Sequence, residues 1–171
     1  MIHPRRPGDP RADRLRSRHA EVFGQAGPPV PVEAIAEDLL GLAVGEADIG
    51  FSGLLIPARR EIWVQAAEAR ESPARRRFTI AHEIGHWVCQ VREGRGEPIH
   101  CRPDPAGGRL VDEREREANV FAAELLMPED QVRLAATRGA EPAELEALFG
   151  VSEPAMAWRL FNLGIVATPP P

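Results

Sequence analysis

The stretch RRRFTIAHEIGHWVCQV, residues 75–91, carries two histidines four positions apart and a glutamate directly after the first. Residues four apart on an α-helix lie on one face about one turn apart, so His82 and His86 can offer their imidazoles to one metal ion. Glu83 lies about 100° further round the helix than His82. Its carboxylate should therefore stand beside the ion and not point directly at it. The stretch therefore predicts a metal site on a helix, with a carboxylate next to it.

The residue types at this spacing indicate a particular chemistry. Imidazole and carboxylate suit zinc, and a catalytic zinc keeps three protein ligands and one open position, where bound water has a pKa of about 7. Glu83 is placed to accept a proton from that water as it attacks a peptide carbonyl, and to deliver it to the leaving nitrogen. Gly85, between the histidines, allows another backbone or a substrate to come close. The pattern is typical of metallopeptidases.

A third ligand is expected from the acidic helix DEREREANVFAAELLMP, residues 112–128. Counting back in helical steps from Leu125, which should be buried, places Glu115 on the apolar face. We therefore predict Glu115 as the third ligand, with Glu117 as its main rival. Asn119, one turn further on, is predicted to orient a ligand histidine by a hydrogen bond.

The two cysteines suggest a different metal site that contains the same histidines. Cys89 follows His86 by three residues and Cys101 lies in the next loop, so two thiolates and two imidazoles can form a closed structural zinc site. Such a site has no open position for water and gives Glu83 no role. A lone cysteine is also commonly a small buried hydrophobe, so we favour the catalytic arrangement.

Composition limits the classes of protein that the chain can belong to. The 171 residues, 43% of them hydrophobic, predict a single core. The formal net charge of -5 argues against binding nucleic acid through the overall field. Two cysteines are too few for a secreted disulfide framework, and no leader-like or membrane-length apolar run occurs. We expect a cytoplasmic protein that does not associate with membranes.

The pattern along the chain predicts an α+β fold. The active helix should begin at Ser72 and Pro73 and run to about Arg92. Before it, the runs LAVGEAD, FSGLLIP and EIWVQ predict a small antiparallel sheet with a hairpin at PARR. The predicted divisions are a mobile N-terminal arm (1–11), the core (12–139), a helical C-terminal subdomain packed on it (140–166) and a disordered tail (167–171).

The end of the chain supports a hypothesis of another class. PAELEALFGVSEPAMAWRLFNLG, residues 142–164, resembles a helix-turn-helix, which suggests a DNA-binding or regulatory protein with a structural zinc site. The second helix, however, is mostly apolar and has one arginine, a poor set for phosphate and base contacts. We therefore expect Trp158, Leu160 and Phe161 to lie in the core, and we expect no direct DNA binding.

Several segments together resemble the ImmA/IrrE family of zinc metallo-endopeptidases over about residues 32–166. They are RFTIAHEIGH, GFSGLLI, EIWVQ, EREANVFAAELLMP and LFGVSEPAMAWRLFNLGIV. The resemblance implies a zincin-like fold, with zinc bound by His82, His86 and Glu115 and with Glu83 as the catalytic base. Manganese fits the same donors.

The resemblance also implies a substrate. Members of this family cut a helix-turn-helix (Xre-like) transcriptional repressor, often encoded nearby, and so release genes of a stress response or a mobile element. A peptide can be held as an added strand along a sheet edge, and we expect the edge at EIWVQ or GLLI to hold it.

The chain departs from its relatives at several points. Gln90 stands where many relatives have a histidine, which leaves the three predicted ligands unchanged. The sensor or DNA-binding domains of some relatives are not expected here. Because the chain has no tyrosine, a phenol cannot stabilise an oxyanion. His100 or an arginine is the candidate donor, although a solvated loop residue is the more ordinary interpretation of His100.

Overall fold

A computed structural model describes residues 8–24, 27–91, 99–101 and 113–170, with only the backbone at His100 and Cys101. The helices are α1 (Pro10–Phe23), α2 (Val32–Ala34) continuing as a π-helical turn (Ile35–Leu39), α3 (Ala66–Glu71), α4 (Pro73–Gln90), α5 (Glu113–Leu126), α6 (Glu129–Thr137), α7 (Pro142–Phe149) and α8 (Glu153–Asn162). The strands are β1 (Ala43–Ala47), β2 (Gly53–Ile56), β3 (Glu61–Gln65) and β4 (Ile99–Cys101). The predicted α+β class is confirmed. Within these ranges, no helix is long and apolar enough to cross a membrane.

Helix α4 begins where the sequence predicts. The backbone N–H of Arg75 donates to the hydroxyl of Ser72 at 3.2 Å, and Pro73 occupies the first helical position. A side-chain acceptor before the helix and a proline with no N–H both reduce the number of unsatisfied donors in the first turn. The helix ends at Gln90, slightly before the predicted end.

The sheet is mixed, with the strand order β1-β3-β2-β4. Strands β2 and β3 form the predicted antiparallel hairpin, with Leu55 opposite Ile62 and a 3-10 turn at Pro57–Arg59. Strand β1 instead runs parallel to β3, with Val44 opposite Ile62, so the prediction of a wholly antiparallel sheet is wrong. Strand alternation has the same period in either direction and therefore does not decide strand direction. Residues 48–52 carry the chain past β3.

Strand β4 was not predicted, because its residues fall in a stretch rich in Gly and Pro. It pairs antiparallel with β2, with His100 opposite Leu54. Consequently EIWVQ, which is β3, and GLLI, which is β2, each have a neighbour on both sides. An added strand needs unpaired backbone groups, so the prediction that a peptide docks at these two strands is wrong. The edges of the described sheet are β1 and β4.

Helix α1 starts at Pro10, slightly before the predicted start at residue 12. The carboxylate of Asp9 caps it by accepting from the backbone N–H of Arg11 at 2.8 Å. The Arg11 guanidinium also donates to Glu117 at 2.9 Å, which ties α1 to α5. Residues 1–7 of the predicted arm lie outside the described residues.

Each of the C-terminal helices α7 and α8 buries two large apolar side chains. Phe149 and Met156 are fully buried, and Leu160 is buried as predicted. Trp158 is 47% exposed and packs edge-on against Phe161, so the prediction that Trp158 lies in the core is wrong. Helix α8 buries one stripe, and Trp158 stands on its outer face.

The arginine of α8 points inward. Arg159 donates to the carbonyl of Met127 at 2.9 Å and forms an ion pair with Glu124, whose side chain is 7% exposed. Arg77 of α4 likewise donates to the carbonyl of Gly150 at 3.1 Å, at the end of α7. These contacts attach the C-terminal helices to the core, and they direct Arg159 away from any surface partner.

Helices α4 and α5 lie so close that one position between them has almost no room for a side chain. A Cβ at Gly85 would lie 3.0 Å from the Cα and the carbonyl oxygen of Ala118. Backbone atoms cannot move aside as the end of a flexible side chain can. The sequence expectation that Gly85 permits a close approach is confirmed, and the approaching backbone belongs to α5.

We expect Gly85→Val to lower the free energy of unfolding by about 1–3 kcal/mol, because the added methyl groups overpack the contact between α4 and α5. Denaturant unfolding followed by circular dichroism measures the loss. Gly50→Val is the matched control, since a Cβ at Gly50 meets nothing within 4 Å. Equal stability of the two variants would contradict the close contact.

Candidate metal centre

The two histidines of α4 point together into the contact with α5. His82 is 6% exposed and His86 is fully buried. Their Nε2 atoms lie 2.9 Å apart, because the helix repeats about every four residues and turns both rings to one side. The ring planes are nearly perpendicular, at 80°. The structure therefore brings together the two imidazoles that the sequence pattern pairs.

Glu115 reaches the same point from α5. Its carboxylate oxygens lie 3.2 Å from Nε2 of His82 and 3.2 Å from Nε2 of His86. Glu117 instead faces Arg11, and its side chain is 38% exposed. Glu115, whose side chain is 33% exposed, thus faces the two histidines, and Glu117 faces α1, as the helical-face argument predicts. The ligand atoms of His82, His86 and Glu115 all lie within 4.8 Å of one another, and this set could hold a metal ion.

Two amide side chains define how the rings are protonated. Nδ1 of His82 lies 2.9 Å from the amide oxygen of Asn119, and Nδ1 of His86 lies 2.8 Å from that of Gln90. An amide oxygen only accepts, so each Nδ1 carries a proton, and each Nε2 faces Glu115 either as a protonated donor or, on an uncharged ring, with a lone pair. When both rings are uncharged, two Nε2 lone pairs and a carboxylate converge on one point, an arrangement that a cation stabilises. Two imidazole nitrogens and a carboxylate are donors that suit zinc.

Charge at the site follows from these contacts. Hydrogen bonds from His82 and then His86 lower the pKa of Glu115 to about 2, against the opposing effect of partial burial. Burial by itself lowers the pKa of His86, but hydrogen bonds with Glu115 and Gln90 and the nearby charge of Glu83 raise it overall. Glu115 is therefore a carboxylate at neutral pH, and a cation bound here would displace the protons that the imidazoles donate to it.

Glu83 is fully buried beside the three ligand candidates. Strand β2 passes directly over it: a Cβ at Gly53 would lie 2.3 Å from a carboxylate oxygen of Glu83 and 2.7 Å from the methyl group of Thr79. Only glycine leaves this space for the carboxylate. Strand β2 thus packs against the carboxylate of Glu83, which directly follows the ligand candidate His82 on α4.

The cysteine alternative receives no support from the described residues. The group of side chains that could hold an ion contains no cysteine. Cys89 lies instead near Arg11, Glu117 and Asp9, whose charges act on its thiol. The side chains of Cys101 and His100 lie outside the described residues, so the predicted roles of these two side chains are not tested.

Burial raises the pKa of the Cys89 thiol to about 12 from an ordinary value of 9.0. At pH 8 the thiolate fraction is then about 10³-fold smaller than in the unfolded chain, and only the thiolate is alkylated. We expect iodoacetamide to modify Cys89 slowly in the native protein and rapidly in denaturant, with the rates read by peptide mass spectrometry. Equal rates in the two states would contradict this environment.

Sequence reasoning missed the contact of Gln90. The position was noted only as a departure from relatives that have histidine there. Its place four residues after His86, on the same helical face, was the available signal. Asn119 was found because it follows Glu115 by one turn on the predicted inward face.

Two imidazoles from one helix and a carboxylate from the helix packed against it, beside a small mixed sheet, match a zincin-like fold. The chain belongs to the peptidase M78 family, because the family model described as the IrrE N-terminal-like domain matches residues 47–161. The match runs from the end of β1 to the end of α8 and confirms the ImmA/IrrE resemblance. No curated protein matches the chain.

Proposed function

We propose that this protein is a zinc-dependent endopeptidase that makes a specific cut in a helix-turn-helix transcriptional repressor. The observation that carries the proposal is the convergence of two Nε2 atoms and a carboxylate beside the buried Glu83. In a member of a peptidase family, a buried carboxylate beside the proposed metal site can act as the general base.

His82, His86 and Glu115 are the residues that would hold the metal. When bound, zinc supplies Lewis acidity, which polarises a peptide carbonyl and lowers the pKa of water to about 7. Glu83 takes a proton from the attacking water onto a carboxylate oxygen, as the water oxygen bonds to the carbonyl carbon. Glu83 then passes that proton to the amide nitrogen, and the C–N bond breaks to leave an amine and an acid.

Zinc is proposed as the metal because the donor set is two imidazoles and one carboxylate. Manganese can bind to the same donors, so the preference between zinc and manganese has to be measured. Asn119 is proposed to keep the Nε2 of His82 directed at the ion, since its amide oxygen holds the proton on Nδ1 at 2.9 Å.

The proposed substrate is an extended segment of the repressor. The choice of a repressor rests on the family resemblance. Main-chain pairing needs an unpaired strand, and β4 is the sheet edge nearer to Glu83, since its Cys101 pairs with Gly53. We therefore place the bound segment along the outer side of β4 rather than along β2 or β3.

The zinc-loaded protein, mixed with the repressor encoded nearest to its gene, is expected to give one discrete cut, detected by mass spectrometry and abolished by a chelator. Glu115→Gln should lose both zinc and cleavage. Glu117→Gln, the same chemical change two residues further along α5, should keep both. An intact repressor at full zinc occupancy would contradict the substrate assignment, whereas full zinc binding by Glu115→Gln would contradict the ligand assignment.

A further inference from the structure

Gln90, the last residue of α4, makes two hydrogen bonds that join the helices of the metal centre. Its amide oxygen accepts from Nδ1 of His86 at 2.8 Å. Its amide nitrogen donates to the backbone carbonyl of Arg114 at 2.7 Å. One side chain thus contacts a proposed ligand on α4 and the residue directly before the proposed ligand Glu115 on α5.

The second hydrogen bond fixes the direction of the first. Because the carbonyl of Arg114 can only accept, the NH₂ group of Gln90 must face it, and the amide oxygen must then face His86. An oxygen at that place keeps the proton of His86 on Nδ1 and leaves the lone pair on Nε2, the atom that lies 3.2 Å from Glu115. The contact therefore selects the form of the ring that can bind a metal.

Gln90 also makes the last of three successive contacts between the antiparallel helices α4 and α5. His82 meets Asn119 and His86 meets Glu115, and Gln90 then meets Arg114 at the ends of both helices. Asn119 performs the matching task for His82. The two histidines are therefore each held by an amide, one from α5 and one from α4 itself.

We propose that Gln90 is a positioning residue for the metal centre, which keeps His86 in its metal-binding tautomer and holds the start of α5 against α4. The proposal rests on the proposed metal site. Partners that hydrogen-bond to a ligand histidine typically contribute about 10- to 100-fold to metal affinity.

The test compares Gln90→Met, which keeps the side-chain length without hydrogen bonding, with Gln90→Glu, which keeps an oxygen for His86. Zinc affinity is measured by competition with a chromophoric chelator, and the metal-free proteins are unfolded by heat. We expect Gln90→Met to bind zinc about 10- to 100-fold more weakly than the unmodified protein, and Gln90→Glu, which keeps the oxygen for His86 but loses the contact with Arg114, to bind more tightly than Gln90→Met. Gln131→Met, the same change on α6, should leave zinc affinity unchanged.

Zinc binding by the unmodified protein distinguishes a failure of the metal site from a failure of the role of Gln90. If it binds no zinc, the metal site is wrong and this proposal falls with it. If it binds zinc and Gln90→Met binds equally well, the metal site stands and the role of Gln90 is overturned. Equal weakening in Gln90→Met and Gln90→Glu, accompanied by equal losses of thermal stability without metal, would assign Gln90 a purely structural role and would also overturn it.

Discussion

Replacing Glu83 by Gln is expected to lower the rate of repressor cleavage by about 10²–10⁴-fold, because the amide cannot take a proton from the attacking water. The substitution keeps the shape of the side chain in the space that Gly53 leaves for it. Zinc affinity should change little, since Glu83 does not belong to the set that could hold the ion. Cleavage is followed by mass spectrometry, and zinc content by atomic absorption.

Glu117→Gln provides the control, with the same chemical change on the outer side of α5. It should cleave at the rate of the unmodified protein. Glu83→Gln that still cleaves at the full rate would remove the proposed base. A loss of zinc with the loss of cleavage would show that the carboxylate supports the metal rather than the proton transfer.

Arg159→Met is expected to lower the free energy of unfolding by about 3–5 kcal/mol, because it leaves the carboxylate of Glu124 buried without its cation. The Arg159 side chain is 10% exposed and the Glu124 side chain 7% exposed, so water cannot replace the lost contact easily. Arg159 also donates to the carbonyl of Met127, which would lose a hydrogen bond. Urea denaturation followed by circular dichroism measures the effect.

Two further variants distinguish the effect on stability of the buried charge of Glu124 from the effect of removing any arginine. Arg18→Met removes an arginine whose ion-pair partner, Glu21, is 69% exposed, and the unfolding midpoint should not move. The double variant Glu124→Gln/Arg159→Met removes the buried charge and should recover part of the lost stability. A single Arg159→Met variant as stable as Arg18→Met would contradict the role of this ion pair.

Local rules predicted the helices of the site well. The start of α4 follows from a capping serine and a proline, which act within one turn of the chain. The choice between Glu115 and Glu117 follows from helical periodicity, since the two differ by about 200° around α5. Such signals depend only on neighbouring residues, and a single sequence contains them in full.

The direction of β1 and the presence of β4 depend on contacts between distant residues, which the sequence pattern does not show. Alternation predicted β2 and β3 but could not give the direction of β1, and the three-residue strand β4 is too short to have a pattern. The contact of Gln90 with Arg114 was missed for a similar reason. It depends on where the start of α5 meets the end of α4, and that meeting follows from the packing at Gly85 rather than from the residues around Gln90.

The contact of Gly85 with Ala118 has a consequence for how an ion is captured. Backbone atoms, rather than long flexible side chains, set the separation of the two helices that carry the ligand candidates. The donors are therefore preorganised, and little conformational entropy is lost when an ion arrives. Zinc fingers differ, since their binding energy is consumed in folding the chain. Here we expect the fold to outlast removal of the metal, so that loading and emptying of the centre can occur without refolding.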